Sequence, residues 1–141
     1  MAGTLQRLPV FAAALWWGSL TTIGFLVVPM LFSHLPTPAL AGGMAARLFA
    51  AQTWVSIACG LILLLIYASK KTLAPASRSQ SAIFFVVFGM LLAVLVEFAV
   101  APRIVARENL RLWHSAGSAM YLAQWLSAAA VFWRVTTPPI R

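Results

Sequence analysis

Apolar residues in this chain come in long runs separated by short clusters of proline, glycine and basic residues. A transmembrane helix needs about 20 mainly apolar residues to cross a hydrocarbon core of about 30 Å. Four stretches meet that need and predict spans over 8–33, 45–69, 81–101 and 113–134. The first carries no formal charge between Arg7 and Arg47. It is too long for the apolar region of a signal peptide, and Ala12-Ala13-Ala14 follows too short an apolar run to mark a cleavage site, so it reads as an uncleaved span. Pro36 and Pro38 then break the chain before Ala41-Gly42-Gly43.

The second stretch, Ala41 to Ser69, would be about 43 Å long as one helix, more than the hydrocarbon core requires. Its first part, 41–51 with Arg47 inside it and Gln52 at its end, reads as an interfacial lead-in turn, and 53–68 as the deeper part. Lys70, Lys71, Pro75 and Arg78 form the next polar connection. Ser81 to Ala101 has near-ideal length, with Pro102 marking its end or a kink. Trp113 to Trp133 is closed by Arg134.

Composition turns these helices into a membrane protein. Of the 141 residues 62% are hydrophobic and 9% charged, against roughly 45–50% and 25% in soluble domains. Twelve charged side chains cannot cover such a surface with water-facing groups, so lipid is its solvent. The chain has no Asp, two Glu (Glu97, Glu108), two His (His34, His114) and one Cys (Cys59). Paired-Asp hydrolysis, Ser-His-Asp relays and CxxC redox or zinc sites therefore lack their parts, and no enzymatic role is expected. The net charge of +8 does not point to nucleic acid, because the basic residues sit at the ends of apolar runs, where they orient spans and meet headgroups.

Those flanking charges predict both termini in the cytoplasm, in a cell inner membrane crossed several times. Arg7, Lys70, Lys71, Arg78, Arg134 and Arg141 then lie inside, against Arg47, Arg103, Arg107 and Arg111 outside. Tyr67 and Trp133 would mark the inner interface, and Trp113 and Trp54 the outer.

Helices in lipid associate through close backbone approach, so small residues at helical spacing predict the packed faces. The stripes are Ala14-Gly18-Thr22, Gly89-Ala93-Glu97-Ala101 and Ser115-Ala119-Ala123-Ser127. Glu97 thus faces protein, where a carboxylate needs a partner such as Arg47 or Arg103, or else serves as a proton site. There is also a faint repeat: Gly24-Phe25-Leu26-Val27-Val28-Pro29 aligns with Glu97-Phe98-Ala99-Val100-Ala101-Pro102, and Arg47-Leu48-Phe49 with Arg111-Leu112-Trp113. Two hairpins related by an axis along the membrane normal would produce it; so few identities fit chance as well as duplication.

Candidate chemistry gathers at the outer end. Arg103, Arg107 and Arg111 are spaced by four, so a short helix over 102–112 would align them as one basic edge, with Glu108 pairing locally to Arg111. With Arg47 they suit an anionic headgroup, a haem propionate or an acidic partner. The plainer alternative is charge neutralisation and snorkelling to headgroups. His114, His34, Met30 and Met44 contain the atoms for a soft copper site or a haem ligand, although Pro36 should end the first helix near His34. Cys59 beside Gly60, and Trp16 with Trp17, read as packing residues.

Several motifs in order give a resemblance: Leu15-Trp16-Trp17-Gly18, Pro29-Met30-Leu31-Phe32, Ala46-Arg47-Leu48-Phe49, Cys59-Gly60, Pro102-Arg103-Ile104 through Arg107, and Leu112-Trp113-His114 with Ser118. Together they resemble the four-span transmembrane-protein-205-like membrane family, with a looser likeness to copper-resistance D-type membrane domains. The resemblance implies a four-span bundle without an established reaction, keeps soft-metal handling in view and assigns no residue a role. The expectation is an all-α, integral membrane four-helix bundle acting by binding: an accessory or scaffolding subunit with lipids, a larger membrane complex or a second copy as partner. Its cofactor is none, or copper or haem in the alternative.

Overall fold

The structure is a computed structural model that describes the backbone of residues 2–69 and 76–137 and the side chains of 7–69 and 80–137. Lys70, Lys71, Pro75 and Arg141 lie outside the described residues, as does the side chain of Arg78. The described chain is helical, without strands: α1 Ala2–Thr22, a π turn Ile23–Val27, α2 Val28–His34, α3 Pro38–Ser69, α4 Ala76–Leu95, a second π turn Val96–Val100, α5 Ala101–Val105 and α6 Leu110–Thr136. The π turns join α1 to α2 and α4 to α5, so the chain builds four long rods.

Three rods, Arg7–His34, Pro38–Ser69 and Gln80–Val105, are long and apolar enough to cross a membrane. The fourth, α6, has 27 residues and hence the length, about 40 Å, but Gln124, Ser127 and other polar residues dilute its apolar character. Each rod packs against two neighbours: the first and third both touch the second and the fourth. Large apolar side chains such as Phe11, Leu65, Phe84, Phe98 and Leu126 point away from this ring and are exposed, as lipid-facing residues are.

The two π turns have a common cause. Proline has no N–H, and its ring collides with the carbonyl four residues earlier, here Phe25 for Pro29 and Phe98 for Pro102. Each rod relieves this by widening one turn to i→i−5 bonding, so that Val28 N–H meets the Ile23 carbonyl and Ala101 N–H the Val96 carbonyl. The prolines then fall in the first turn of α2 and α5, where an N–H is dispensable. Both π turns occupy the same register of the sequence repeat, with Gly24 and Glu97 as their second residues.

Two segments differ from expectation. Residues 41–51 form no lead-in turn; α3 is continuous from Pro38, because Thr37 caps it by accepting the Leu40 N–H at 3.3 Å and the alanine-rich sequence outweighs Gly42-Gly43. The short helix over 102–112 is absent. After α5 the chain makes a Schellman ending: Glu108 N–H bonds the Arg103 carbonyl and Arg107 N–H the Ile104 carbonyl, with Arg107 left-handed at φ 57°. Asn109, at φ 37°, then caps α6 by accepting the Leu112 N–H.

The packed faces follow the small-residue stripes only in part, with Gly89, Ala93 and Ser127 buried. On the first rod Ala12, Ala13, Trp16 and Leu20 are buried, whereas Ala14 and Gly18 are half-buried and Thr22 is exposed. On α6 the buried residues are Gln124, Ser127, Ala128 and Val131, whereas Ser115 and Ala119 are exposed. The reason is Trp16: its fully buried ring lies against Gly89, so one large side chain fills the centre and the facing glycine accommodates it. Gly89 and Ala93 are buried as expected, and Cys59 and Leu63 complete the core.

Candidate functional site

Helical rise sets the depth of each polar group. On α3, Arg47 and Tyr67 are twenty residues apart, and on α6 so are His114 and Arg134. Twenty residues span about 30 Å, the thickness of a hydrocarbon core. At the Arg134 end, its Nη1 donates to Ser81 Oγ at 2.8 Å and its guanidinium lies 5.2 Å from the centre of the Phe85 ring. The other end holds Arg47, Arg103, Arg107, Arg111 and His114.

Here Arg103 turns back along its own rod, donating from Nη1 to the Ala99 carbonyl, and its guanidinium lies 4.5 Å from the centre of the Trp113 ring. Arg47 on α3, Arg107 in the turn and Arg111 in the first turn of α6 are all exposed. The three arginines spaced by four do not form one helical edge, because the left-handed Arg107 breaks the spacing; they ring the α5–α6 turn instead. Glu108 is exposed in that turn and makes no ion pair with Arg111 among the described residues.

Glu97 is half-buried in the second π turn. Neither Arg47 nor Arg103 pairs with it, and among the described residues it has no ion pair and no side-chain hydrogen bond. The expected pair fails because Arg103 is occupied by Ala99 and Trp113 on its own side of the rod. The soft-metal candidates are spread over separate elements: Met30 and His34 on α2, Met44 on α3 and His114 on α6, all exposed. His34 Nδ1 lies 3.0 Å from the Met30 carbonyl and 2.8 Å from Ser33 Oγ, bonding within its own helix end. Among the described residues no three His, Cys or Glu side chains gather as a metal site.

The most connected polar feature lies in the bundle centre and was not anticipated from the small-residue stripes. Gln52 Nε2 donates to Ser19 Oγ at 3.0 Å and to Ser56 Oγ at 3.4 Å, and Gln124 Nε2 donates to Ser56 Oγ at 2.9 Å. This ties the first rod, α3 and α6 together across the core. Gln52, Ser56 and Gln124 are buried. Nearby, Trp125 Nε1 donates to Thr21 Oγ1 at 2.8 Å and the Tyr121 hydroxyl donates to the Leu20 carbonyl at 2.8 Å. Two glutamines within otherwise apolar runs were the available signal, since an amide in hydrocarbon must find partners.

Comparison with curated proteins returned no match, and comparison with solved structures returned none either. Residues 11–112, most of the chain, match one protein family, covering the first three rods and the arginine-bearing turn. This membrane-embedded helical chain belongs to the family described as Domain of unknown function (DUF4149).

Proposed function

We propose that the chain is a non-enzymatic accessory or scaffolding protein of the cell inner membrane, and that its arginine-bearing end engages anionic lipid headgroups. The observation that carries this reading is the lack of acidic partners: Arg47, Arg103, Arg107 and Arg111 are exposed at one end of the bundle, and among the described residues neither Glu97 nor Glu108 pairs with them. An exposed guanidinium at the edge of a hydrocarbon slab meets phosphate first, and its planar fork binds phosphate oxygens in pairs. Arg103 over Trp113 is an interfacial arrangement, with an amphipathic ring at headgroup level beside a cation. Within its family, this reading treats the chain as transmembrane-protein-205-like, with four crossings and both termini in the cytoplasm.

Thermal unfolding in mixed lipid-detergent micelles tests the proposal. Phosphatidylglycerol should raise the melting temperature more than phosphatidylcholine does, and Arg47→Ala, Arg107→Ala and Arg111→Ala combined should remove the difference. Equal stabilisation by both lipids would overturn it, as would a Soret band or stoichiometric copper surviving desalting. Reporters fused after Leu73 and after Arg141 test the orientation; an external signal from either contradicts it.

A further inference from the structure

Among the described residues three buried side-chain polar atoms have no hydrogen-bond partner: Trp16 Nε1, Trp17 Nε1 and Gln52 Oε1. They do not share one layer: the Trp16 ring lies against Gly89 and the Trp17 ring stacks on Phe132, two residues from Arg134, whereas Gln52 bonds Ser19 and Ser56. Gln52 lies inside the slab on the arginine-bearing side, five residues or about 7.5 Å from Arg47, and Gln124, joined to it through Ser56, is ten residues from both His114 and Arg134. Ten residues correspond to about 15 Å on either side.

Gln52 cannot satisfy itself. The Ser19 hydroxyl donates to the Trp16 carbonyl at 3.0 Å and the Ser56 hydroxyl to the Gln52 carbonyl at 2.9 Å. Both hydroxyls thereby present lone pairs to the core, which is why the Gln52 amide nitrogen faces them. Rotating the amide by half a turn would give them a carbonyl oxygen and leave the two amide hydrogens orphaned instead. In either orientation one end of the amide is unmet, and Gln52 is 2% exposed. Hydrocarbon offers it nothing. Both broken rods widen about 10 Å beyond the Trp16–Gly89 contact, Ile23 lying seven residues beyond Trp16 and Val96 seven beyond Gly89. Wider π turns and polar groups from facing helices are the features that give polar ligands a place at membrane depth.

We infer that the bundle binds an ordered water molecule within its core, on the arginine-bearing side, with the water donating to Gln52 Oε1. The site accepts a neutral, water-sized hydrogen-bond donor, because Gln52 bonds the hydroxyls of Ser19 and Ser56 and, among the described residues, no charged side chain hydrogen-bonds it.

Water-edited solid-state NMR on the full chain in phosphatidylglycerol–phosphatidylethanolamine bilayers tests this. Magnetisation from water should reach the Gln52 side chain several-fold faster than it reaches Leu63 and Val86, which are equally buried in the same core. In Gln52→Leu, water transfer to Ser56 should fall to the level of those aliphatic residues. If Gln52 in the unmodified chain receives water magnetisation no faster than Leu63, the inference is wrong, and that comparison holds whether or not Gln52→Leu folds.

Discussion

Tyr121 reaches the Leu20 carbonyl, 2.8 Å from its hydroxyl, by lying across Gly24, where a Cβ would come to 2.5 Å from Tyr121 Cε1. The contact joins α6 to the first rod just before its π turn. Gly24→Leu should displace the ring and lower stability by about 1–3 kcal/mol. Tyr121→Phe keeps the ring and should cost about 0.6 kcal/mol, the average for a hydrogen bond between membrane helices. Thermal unfolding in detergent measures both, and equal stability of Gly24→Leu and the parent would show that the contact is not made.

Two other glycines separate rigid from yielding neighbours. A Cβ at Gly89 would meet the Trp16 ring at 2.9 Å, and Trp16 is fully buried. At Gly60 the obstacle is the Met90 thioether, whose torsions let it move aside. Gly89→Ala should therefore destabilise clearly and Gly60→Ala much less, by the same unfolding assay. Gly18 has nothing within 4 Å of a new Cβ, so Gly18→Ala should gain roughly 0.5–1 kcal/mol from helix propensity.

Arg107 holds a left-handed conformation that glycine adopts without strain. Arg107→Gly should stabilise the α5–α6 turn by about 1 kcal/mol while weakening the response to phosphatidylglycerol. Arg107→Val should do neither favourably: it loses the charge and adds β-branched strain. A lower melting temperature for Arg107→Gly in neutral detergent would contradict the Schellman ending.

Glu97→Gln should leave stability within about 0.5 kcal/mol of the parent, since no basic partner is left uncompensated. A loss of several kcal/mol would reveal a buried partner for the carboxylate.

How far the sequence could be read depended on which residue type carried the signal. Long apolar runs reveal rods directly, because crossing lipid requires length and internal hydrogen bonding above all else. Pro102 marked the interruption of the third rod, whereas the first reads in sequence as one span over 8–33 although Pro29 stands at the matching place in the repeat. Small-residue stripes held at Gly89, Ala93 and Ser127 but misled on the first rod and the start of α6: a stripe permits close approach without requiring it, and Trp16 fills the centre. Spacing by four likewise assumes a continuous helix, which Arg107 ends, since no Gly flagged the left-handed position. Gln52 reads in sequence as the end of an interfacial lead-in and is instead buried in the core, and its meeting with Gln124 through Ser56 depends on rod order.

Each π turn places one more residue in its rod than an unbroken α-helical ladder of the same length would hold. A helical wheel drawn through 7–34 or 80–105 as one rod therefore goes out of phase beyond Val27 and Val100. Met30, His34, Arg103 and Ile104 stand on the later side of those points, so their faces must be projected from α2 and α5 alone. Mutagenesis scans or designed pairings that carry the phase of α1 or α4 across the break would aim at the wrong side of the helix by about one residue's turn, roughly 100°.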